Sequence, residues 1–200
     1  MTLTKLFFPA VAALTLTVAG CSKPGEAPAT SAATPEAAAP AALSASSYDT
    51  VTKTGKGFTV GSMMSAQPVY VLFEPQCPHC GHLWQASMPL QDKVKFVWIP
   101  VAFNDGKNLA QAVTLMSSST PLETMTEHEK SLLTGNGGIT AMGGITAEQQ
   151  QAIKTNSQLL TTLGQDSVPF ILAKNRTTGE IVSHSGAMET ADLAKLIGVN

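Results

Sequence analysis

The sequence predicts an α/β domain built on a mixed central sheet. The run 69–73 (VYVLF) is apolar throughout, as expected of a central strand that is covered on both faces. A helical pattern begins at Pro78, and a second strand follows over 94–99. Strand, helix and strand of these lengths predict a right-handed parallel crossover. Two further strands, over 168–173 and 181–184 with a turn between them, predict an antiparallel hairpin.

The remaining elements complete this domain. A short strand over 57–61 precedes the central strand, and a terminal helix closes the chain. The segment of about 104–164 has three helical patterns, which we interpret as an insertion that covers the sheet. The second pattern begins near Pro121, and the third begins at Thr146 with a capping box formed with Gln149.

The N-terminus predicts an export signal over 1–20. Lys5 precedes an apolar segment over 6–19, which is too short to span a membrane. Small residues stand directly before Cys21, as in a bacterial lipobox, and this resemblance implies that Cys21 is lipidated and becomes the first mature residue. Ser22 is not the aspartate that retains bacterial lipoproteins at the inner membrane, so a lipid anchor in the outer membrane, facing the periplasm, is favoured. An ordinary secretory signal is the alternative.

The stretch 21–47, from the lipidated cysteine onward, predicts a flexible tether. Residues 22–47 consist mostly of Ala, Pro, Ser and Thr, and they cannot bury enough apolar surface to offset the entropy of ordering them. The domain is therefore expected over 48–200, which is long enough for one hydrophobic core. Because the tether is too polar to pack, we expect the domain to be a monomer.

Charge and cysteine content limit the classes of partner. The formal net charge is −2, which offers no basic surplus to neutralise phosphates and argues against nucleic-acid binding. Of three cysteines, lipidation of Cys21 leaves one pair, Cys77 and Cys80, with no thiol unpaired. In an oxidising compartment, a dithiol that works in the reduced state needs an electron donor, for which we expect a membrane redox partner protein.

The pair lies in the motif Cys77-Pro78-His79-Cys80, where a strand leads into a helix. A helix N-terminus carries free backbone N–H donors and the positive end of the helix dipole, and both favour a thiolate. Cys77 is therefore predicted to be the attacking cysteine, and Cys80, one turn inside, to be shielded and to resolve mixed disulfides. Pro78 suits the first helical turn. His79 is expected to stabilise the Cys77 thiolate further.

Metal binding is the competing interpretation of two cysteines at this spacing. Zinc needs four ligands, and the chain has no second C-x-x-C motif. Copper(I) suits soft thiolates, but His82 lies two residues beyond Cys80 on the same helix, and a rotation of roughly 200 degrees points it away from the pair. Attachment of c-type haem is excluded because Gly81, not a histidine, follows Cys80. We predict no resident metal and no cofactor.

Three further side chains have a functional and a structural interpretation. Glu74 precedes Cys77 by three residues, so its carboxylate could raise the pKa of that thiol or carry protons for Cys80, or be a solvated charge at the strand end. Trp84 is expected to pack in the core, and His128 is expected to be solvated on an exposed acidic helix face.

Residues 70–199 resemble the catalytic domain of the DsbG and DsbC group of thiol-disulfide interchange proteins, within the thioredoxin fold. The features that carry the resemblance, beside the helical insertion, are Glu74, Cys77-Pro78-His79-Cys80, Trp84, Pro89 and Val168-Pro169. The resemblance implies a thioredoxin-like fold with a helical insertion. It also implies that Pro169 is cis and faces Cys77, and that its strand pairs with the extended chain of a substrate.

Two features depart from this group. The tether stands in place of the group's N-terminal dimerisation domain, and Pro78-His79 and Val168 resemble the oxidase DsbA instead. The sequence thus predicts a periplasmic thiol-disulfide oxidoreductase that acts on protein substrates with cysteines or disulfides. The resemblance to DsbG favours a reductase or isomerase; a DsbA-like oxidase and a copper- or zinc-binding lipoprotein are the alternatives.

Overall fold

A computed structural model of the protein describes residues 43–200. The predictions of an export signal, of lipidation at Cys21 and of most of the tether lie outside the described residues. The first described element is helix α1 (Ala45–Thr54), which begins within the segment that the sequence assigned to the tether. Val51 of this helix is fully buried against the domain, so α1 is part of the folded unit.

Five strands and five further helices follow α1 in the described part of the chain. The strands are β1 (Phe58–Gly61), β2 (Val69–Phe73), β3 (Lys95–Pro100), β4 (Phe170–Lys174) and β5 (Ile181–Ser185). The helices are α2 (Pro78–Ser87), which continues into a short 3-10 turn (Met88–Leu90), α3 (Lys107–Met116), α4 (Pro121–Leu133), α5 (Ala147–Thr162) and α6 (Thr190–Ile197). No helix among residues 43–200 has the length and apolar character needed to cross a bilayer.

The strands form one mixed sheet in the order β1-β3-β2-β4-β5. β2 and β3 are parallel and are joined through α2, whereas the other neighbouring pairs are antiparallel. This confirms the predicted α/β class with a mixed sheet. All five residues of β2 are buried, so the strand that leads to the cysteines is an internal one.

Side chains of β2 alternate between two hydrophobic clusters, because successive residues of a strand point to opposite faces. Val71 and Phe73 belong to the cluster beneath α2, together with Trp84. Tyr70 and Leu72 belong to the cluster on the opposite face, which includes residues of α1 and α5. Trp84 is fully buried, and its ring meets that of Trp98 edge to face at a centroid distance of 5.1 Å. Trp84 is thus a core residue, as predicted.

Helices α3, α4 and α5 lie between β3 and β4 along the chain. α5 begins with the expected capping box, in which the Thr146 hydroxyl accepts from the Gln149 N–H and the Gln149 side chain accepts from the Thr146 N–H. α4 packs on α2, whereas α5 packs on α3 and α1. The helix that carries the cysteines is therefore covered by α4, and α4 determines what surrounds their inner side.

Candidate active site

The two cysteines stand at the first turn of α2 and differ in exposure. Cys77 is the N-cap residue and is partly exposed, whereas Cys80 is fully buried. The carbonyl of Cys77 accepts from the backbone N–H of Cys80 at 3.0 Å, which closes the first turn. Pro78 occupies the first turn as predicted, where a missing N–H costs no helical hydrogen bond. Both cysteines are thiols in this structure.

The two thiols also differ in their pKa values. The pKa of Cys77 is lowered from 9.0 to about 6, first because the Cys80 thiol donates to it, against the opposing effect of burial. Backbone N–H groups of Cys80 and His79, and the positive charge of His79, lower this pKa further. Burial raises the pKa of Cys80 well above 9.0, and the hydrogen bond to Cys77 adds to this rise. At neutral pH the pair therefore carries its negative charge on Cys77.

His79 contributes less than the backbone around it. Its side chain is exposed to solvent, where screening weakens its field, and its charge is the last of the causes that lower the pKa of Cys77. The neighbouring His82 is also exposed, with its ring centroid 6.4 Å from that of His79. Among residues 43–200 there is no group of three or more His, Cys, Asp or Glu side chains that could hold a metal ion.

The segment before β4 lies against the exposed cysteine. The Val168-Pro169 peptide bond is cis, and the Sγ atom of Cys77 lies 3.6 Å from the carbonyl oxygen of Val168. Pro169 is buried, whereas Val168 is partly exposed. The chain thus brings together two segments that are 91 residues apart in sequence, and backbone of the second segment is within reach of a group bound at Cys77.

Glu74, three residues before Cys77, is only 5% exposed. Its carboxylate accepts from the backbone N–H of Gln76 at 2.8 Å and from the side-chain amide of Asn108. Burial raises the pKa of Glu74, while these two hydrogen bonds act in the opposite direction. The alternative of a solvated charge at the strand end is therefore wrong.

The expectation for His128 is also wrong, because this side chain is fully buried. Its Nε2 atom lies 2.7 Å from the carbonyl oxygen of Pro75, and its Nδ1 atom accepts from the backbone N–H of Ile139 at 3.2 Å. These two partners fit a neutral ring that donates through Nε2, and burial lowers the pKa of His128. His128 thus fastens α4 to the loop that leads into the cysteine motif.

The loop 135–139 closes over this contact. The side-chain amide of Gln111 donates to the carbonyls of Gly137 and Ile139 at 2.9 and 2.7 Å, and its oxygen accepts from the Gln76 side chain at 2.5 Å. Gly138 has a positive φ, and a Cβ there would lie 2.4 Å from the His128 ring. The cluster of glycines was the only sequence signal for this close approach, and it does not say which side chain is covered.

The chain has relatives among known proteins. No protein-family model matches the chain. The chain is 28% identical over 118 residues to the thiol:disulfide interchange protein DsbG of Escherichia coli K12, covering 57% of this chain and 47% of that protein. It is 25% identical over 132 residues to DsbG of Pseudomonas aeruginosa, covering 65% of this chain and 50% of that protein. The chain thus spans about half the length of these relatives.

The fold has its own support among solved structures. A periplasmic thioredoxin-like protein from Salmonella enterica serovar Typhimurium superposes with a TM-score of 0.61 at 15% identity, over 78% of this chain and 95% of that one. At this identity the likeness concerns the fold alone, and it confirms the predicted thioredoxin-like fold. The chain therefore has a thioredoxin-like fold, with one partly exposed and one buried cysteine, and its sequence is similar to that of the thiol:disulfide interchange protein DsbG.

Proposed function

We propose that this protein exchanges disulfides with protein substrates, with Cys77 as the nucleophile and Cys80 as the resolving cysteine. The observation that carries the proposal is the division of the pair. Cys77 is accessible and its pKa is lowered to about 6, whereas Cys80 is buried and its pKa is raised. A thiolate is the attacking species in disulfide exchange, so only one of the two sulfurs is ready to attack at neutral pH.

The chemistry proceeds in two steps. The Cys77 thiolate attacks one sulfur of a substrate disulfide, which forms a mixed disulfide and releases the other substrate sulfur as a thiolate. Cys80 then loses its proton and attacks the Sγ atom of Cys77, which releases the second substrate thiolate and leaves a Cys77–Cys80 disulfide. The substrate gains two electrons, and the protein is oxidised by two. The reverse sequence transfers the disulfide to a substrate.

The segment at Val168 and Pro169 is the proposed substrate-binding position. An extended peptide can align with exposed backbone next to a strand through main-chain hydrogen bonds, which do not depend on its sequence. The Val168 carbonyl is 3.6 Å from the Cys77 sulfur, so a substrate cysteine bonded to Cys77 would place its own backbone beside this residue. Pro78 and His79, which follow Cys77 directly in the chain, are exposed.

Trapping of the mixed disulfide tests this proposal. Cys80→Ser should accumulate a covalent adduct with an unfolded protein that contains a disulfide, because attack is retained and resolution is lost. Cys77→Ser, the matched control, should form none. Mass spectrometry of the adduct, before and after reduction, identifies the bonded cysteine. Adducts through Cys80 in the Cys77→Ser variant would contradict the assignment of roles.

The direction of exchange is a separate proposal. Similarity to interchange proteins named DsbG supports use as a reductase or isomerase, kept reduced by a membrane redox partner. The second candidate is an oxidase, since a stabilised thiolate makes the disulfide a stronger oxidant. Alkylation of thiols in living cells, with a reagent that shifts gel mobility, decides between them. A mostly reduced pair supports the reductase or isomerase, and a mostly oxidised pair supports the oxidase.

We further propose that the protein works in the periplasm as a monomer, with lipidated Cys21 and the tether anchoring the domain to the outer membrane. The export signal and the small residues before Cys21 support this, and the related Salmonella fold is described as periplasmic. Metabolic labelling with a fatty acid should mark the wild-type chain and not Cys21→Ser. Light scattering on the chain from Ser22 onward should give the monomer mass.

A further inference from the structure

Glu129 on α4 is a buried acid with no visible partner. Its side chain is 1% exposed, and neither carboxyl oxygen has a hydrogen-bond partner among residues 43–200. Burying a charged carboxylate without a partner is costly, and buried polar groups in folded proteins are normally hydrogen-bonded. A side chain kept under these conditions requires a physical explanation.

The position of this acid points to the cysteine pair. Gly81 directly follows Cys80, and a Cβ at Gly81 would lie 2.7 Å from the Oε2 atom of Glu129. The carboxyl group thus rests against the backbone of the first turn of α2, in space left by the missing side chain. The backbone N–H of Gly81 already donates to the Cys77 carbonyl at 3.4 Å. Glu129 therefore faces the inner side of the pair, where Cys80 is buried.

The charged and titratable groups around Glu129 come from α2, from the loop after β2, from α4 itself and from α3. Cys77 and Cys80 face it from α2, and Glu74 faces it from the loop after β2. On its own helix His128 is held neutral by its two hydrogen bonds, and the field of Lys107 in α3 acts on that histidine. Burial raises the pKa of Glu129 to about 8, and the negative charges of Cys77 and Glu74 add to the rise.

We propose that Glu129 accepts the proton that Cys80 must lose when it resolves the mixed disulfide. The inference rests on the proposed function and assigns one of its steps. In the mixed disulfide, the Cys80 S–H gives its proton through one intervening water molecule to the Glu129 carboxylate, which makes no direct hydrogen bond to Cys80. The Cys80 sulfur then bonds to the Sγ atom of Cys77. The bond between Cys77 and the substrate breaks, its electron pair leaves on the substrate thiolate, and Glu129 later returns the proton to solvent.

The state of Cys77 controls when Glu129 can act as a base. In the reduced protein Cys77 carries a negative charge that raises the pKa of Glu129, so the acid holds its proton and does not repel the thiolate. Once Cys77 is bonded to a substrate, this charge is gone and the pKa of Glu129 falls. The carboxylate therefore forms at the stage at which Cys80 needs a proton acceptor.

The proton count of reduction tests this coupling. Equilibrium between the protein and glutathione is measured from about pH 6 to about pH 8, the interval between the pKa values of Cys77 and Glu129 in the reduced protein. In Glu129→Gln, reduction takes up one proton while oxidation of two glutathione thiols releases two, so the constant for reduction rises about tenfold per pH unit. In the wild type Glu129 takes up a second proton, and the rise is smaller.

The rate of resolution provides a second, independent readout. Reduced protein is mixed with excess 5,5′-dithiobis(2-nitrobenzoic acid), so that the first released thiolate reports attack by Cys77 and the second reports resolution by Cys80. Loss of a general base typically costs about 10²-fold or more. Glu129→Gln should therefore slow the second release by about 10²-fold at pH 7 and leave the first nearly unchanged. Glu129→Asp should restore part of the second rate.

The matched control is Glu127→Gln, which changes an exposed glutamate on the same helix and should behave as the wild type in both measurements. If Glu129→Gln does not fold, Glu129→Leu fills the same apolar space and gives the same two readouts. Equal pH slopes and equal second-phase rates in the wild type and the variant would overturn the proposal. Failure of the Cys80→Ser adduct would instead overturn the proposed function, because the glutathione equilibrium does not require a protein substrate.

Discussion

The buried polar side chains on the two sides of the central sheet differ in number and in hydrogen bonding. On the side of α1 and α5, Asn156 is the one fully buried polar side chain among the described residues of those helices. Its oxygen accepts from the Lys56 N–H at 2.9 Å, and its amide donates to the carbonyls of Lys56 and Pro100 at 2.7 and 2.8 Å. On the side of α2 and α4, several polar side chains gather beneath the cysteines: Glu74, Gln111, His128 and Glu129.

The difference separates a structural polar group from a functional one. Asn156 joins α5 to the end of β3 and to Lys56 before β1 through bonds that satisfy its oxygen and both amide hydrogens, so its burial contributes to stability. Glu129 has no such bonds and a pKa raised to about 8, so its burial opposes stability once it ionises. An acid that destabilises the fold at higher pH and lies beside reactive sulfurs is a candidate for a role in the reaction, since acids with perturbed pKa values concentrate at functional sites.

The largest expected effect is on activity and comes from Cys77→Ser. Cys77→Ser should abolish disulfide exchange completely, because the accessible thiolate is removed, while thermal unfolding of the reduced protein changes little at pH 6. Asn156→Ala should retain exchange activity as long as the protein is folded. Exchange is followed by reduction of a model disulfide with a thiol donor. Residual exchange in Cys77→Ser would contradict the assignment of Cys77 as the attacking cysteine and Cys80 as the resolving one.

Asn156→Ala should have the largest effect on stability, about 3 kcal/mol in the free energy of unfolding. It removes three hydrogen bonds and leaves the Lys56 N–H and the Pro100 carbonyl without this partner. Chemical denaturation with urea measures the change. A loss below about 1 kcal/mol would mean that water replaces the amide, and that the α5 side does not depend on this residue as a bridge.

Glu129→Gln should change the pH dependence of stability. The folded pKa of Glu129 is raised from 4.5 to about 8, so the folded state binds its proton more tightly than the unfolded state. Its contribution is complete below pH 4.5 and is lost as the pH rises towards about 8, by at most about 1.4 kcal/mol per pH unit. The stability of the variant relative to the reduced wild type should therefore rise across this window. A constant difference would contradict the raised pKa.

A smaller effect of opposite sign is expected from Cys77. Its folded pKa is lowered from 9.0 to about 6, so the reduced protein gains stability above pH 6 and loses this contribution as the pH falls through that value. Because the side chain is partly exposed, solvent screening reduces the gain. Unfolding of the reduced wild type and of reduced Cys77→Ser, compared from pH 5 to pH 9, should diverge with rising pH. Parallel curves would contradict the acidity of Cys77.

Local patterns in the sequence were sufficient for most of the elements. The apolar run of β2, the start of α4 at Pro121 and the capping box at Thr146 all lie where they were predicted. The place of Cys77 at the start of α2 also follows from neighbouring residues. These features depend on contacts within a few positions of the chain, such as periodicity, caps and the missing N–H of proline. α1 was missed because its Ser- and Thr-rich sequence has only one fully buried residue, Val51.

Tertiary structure alone decided the environment of the cysteines. The composition of α4 indicates an acidic, exposed face, yet His128 is buried because the loop 135–139 closes over it, and Glu129 is buried because α4 packs on α2. Glu74 is buried because Asn108, 34 residues later, covers its carboxylate. A short-range pattern records which residues share a helix face, but the pKa of an acid depends on which distant segment excludes water from that face.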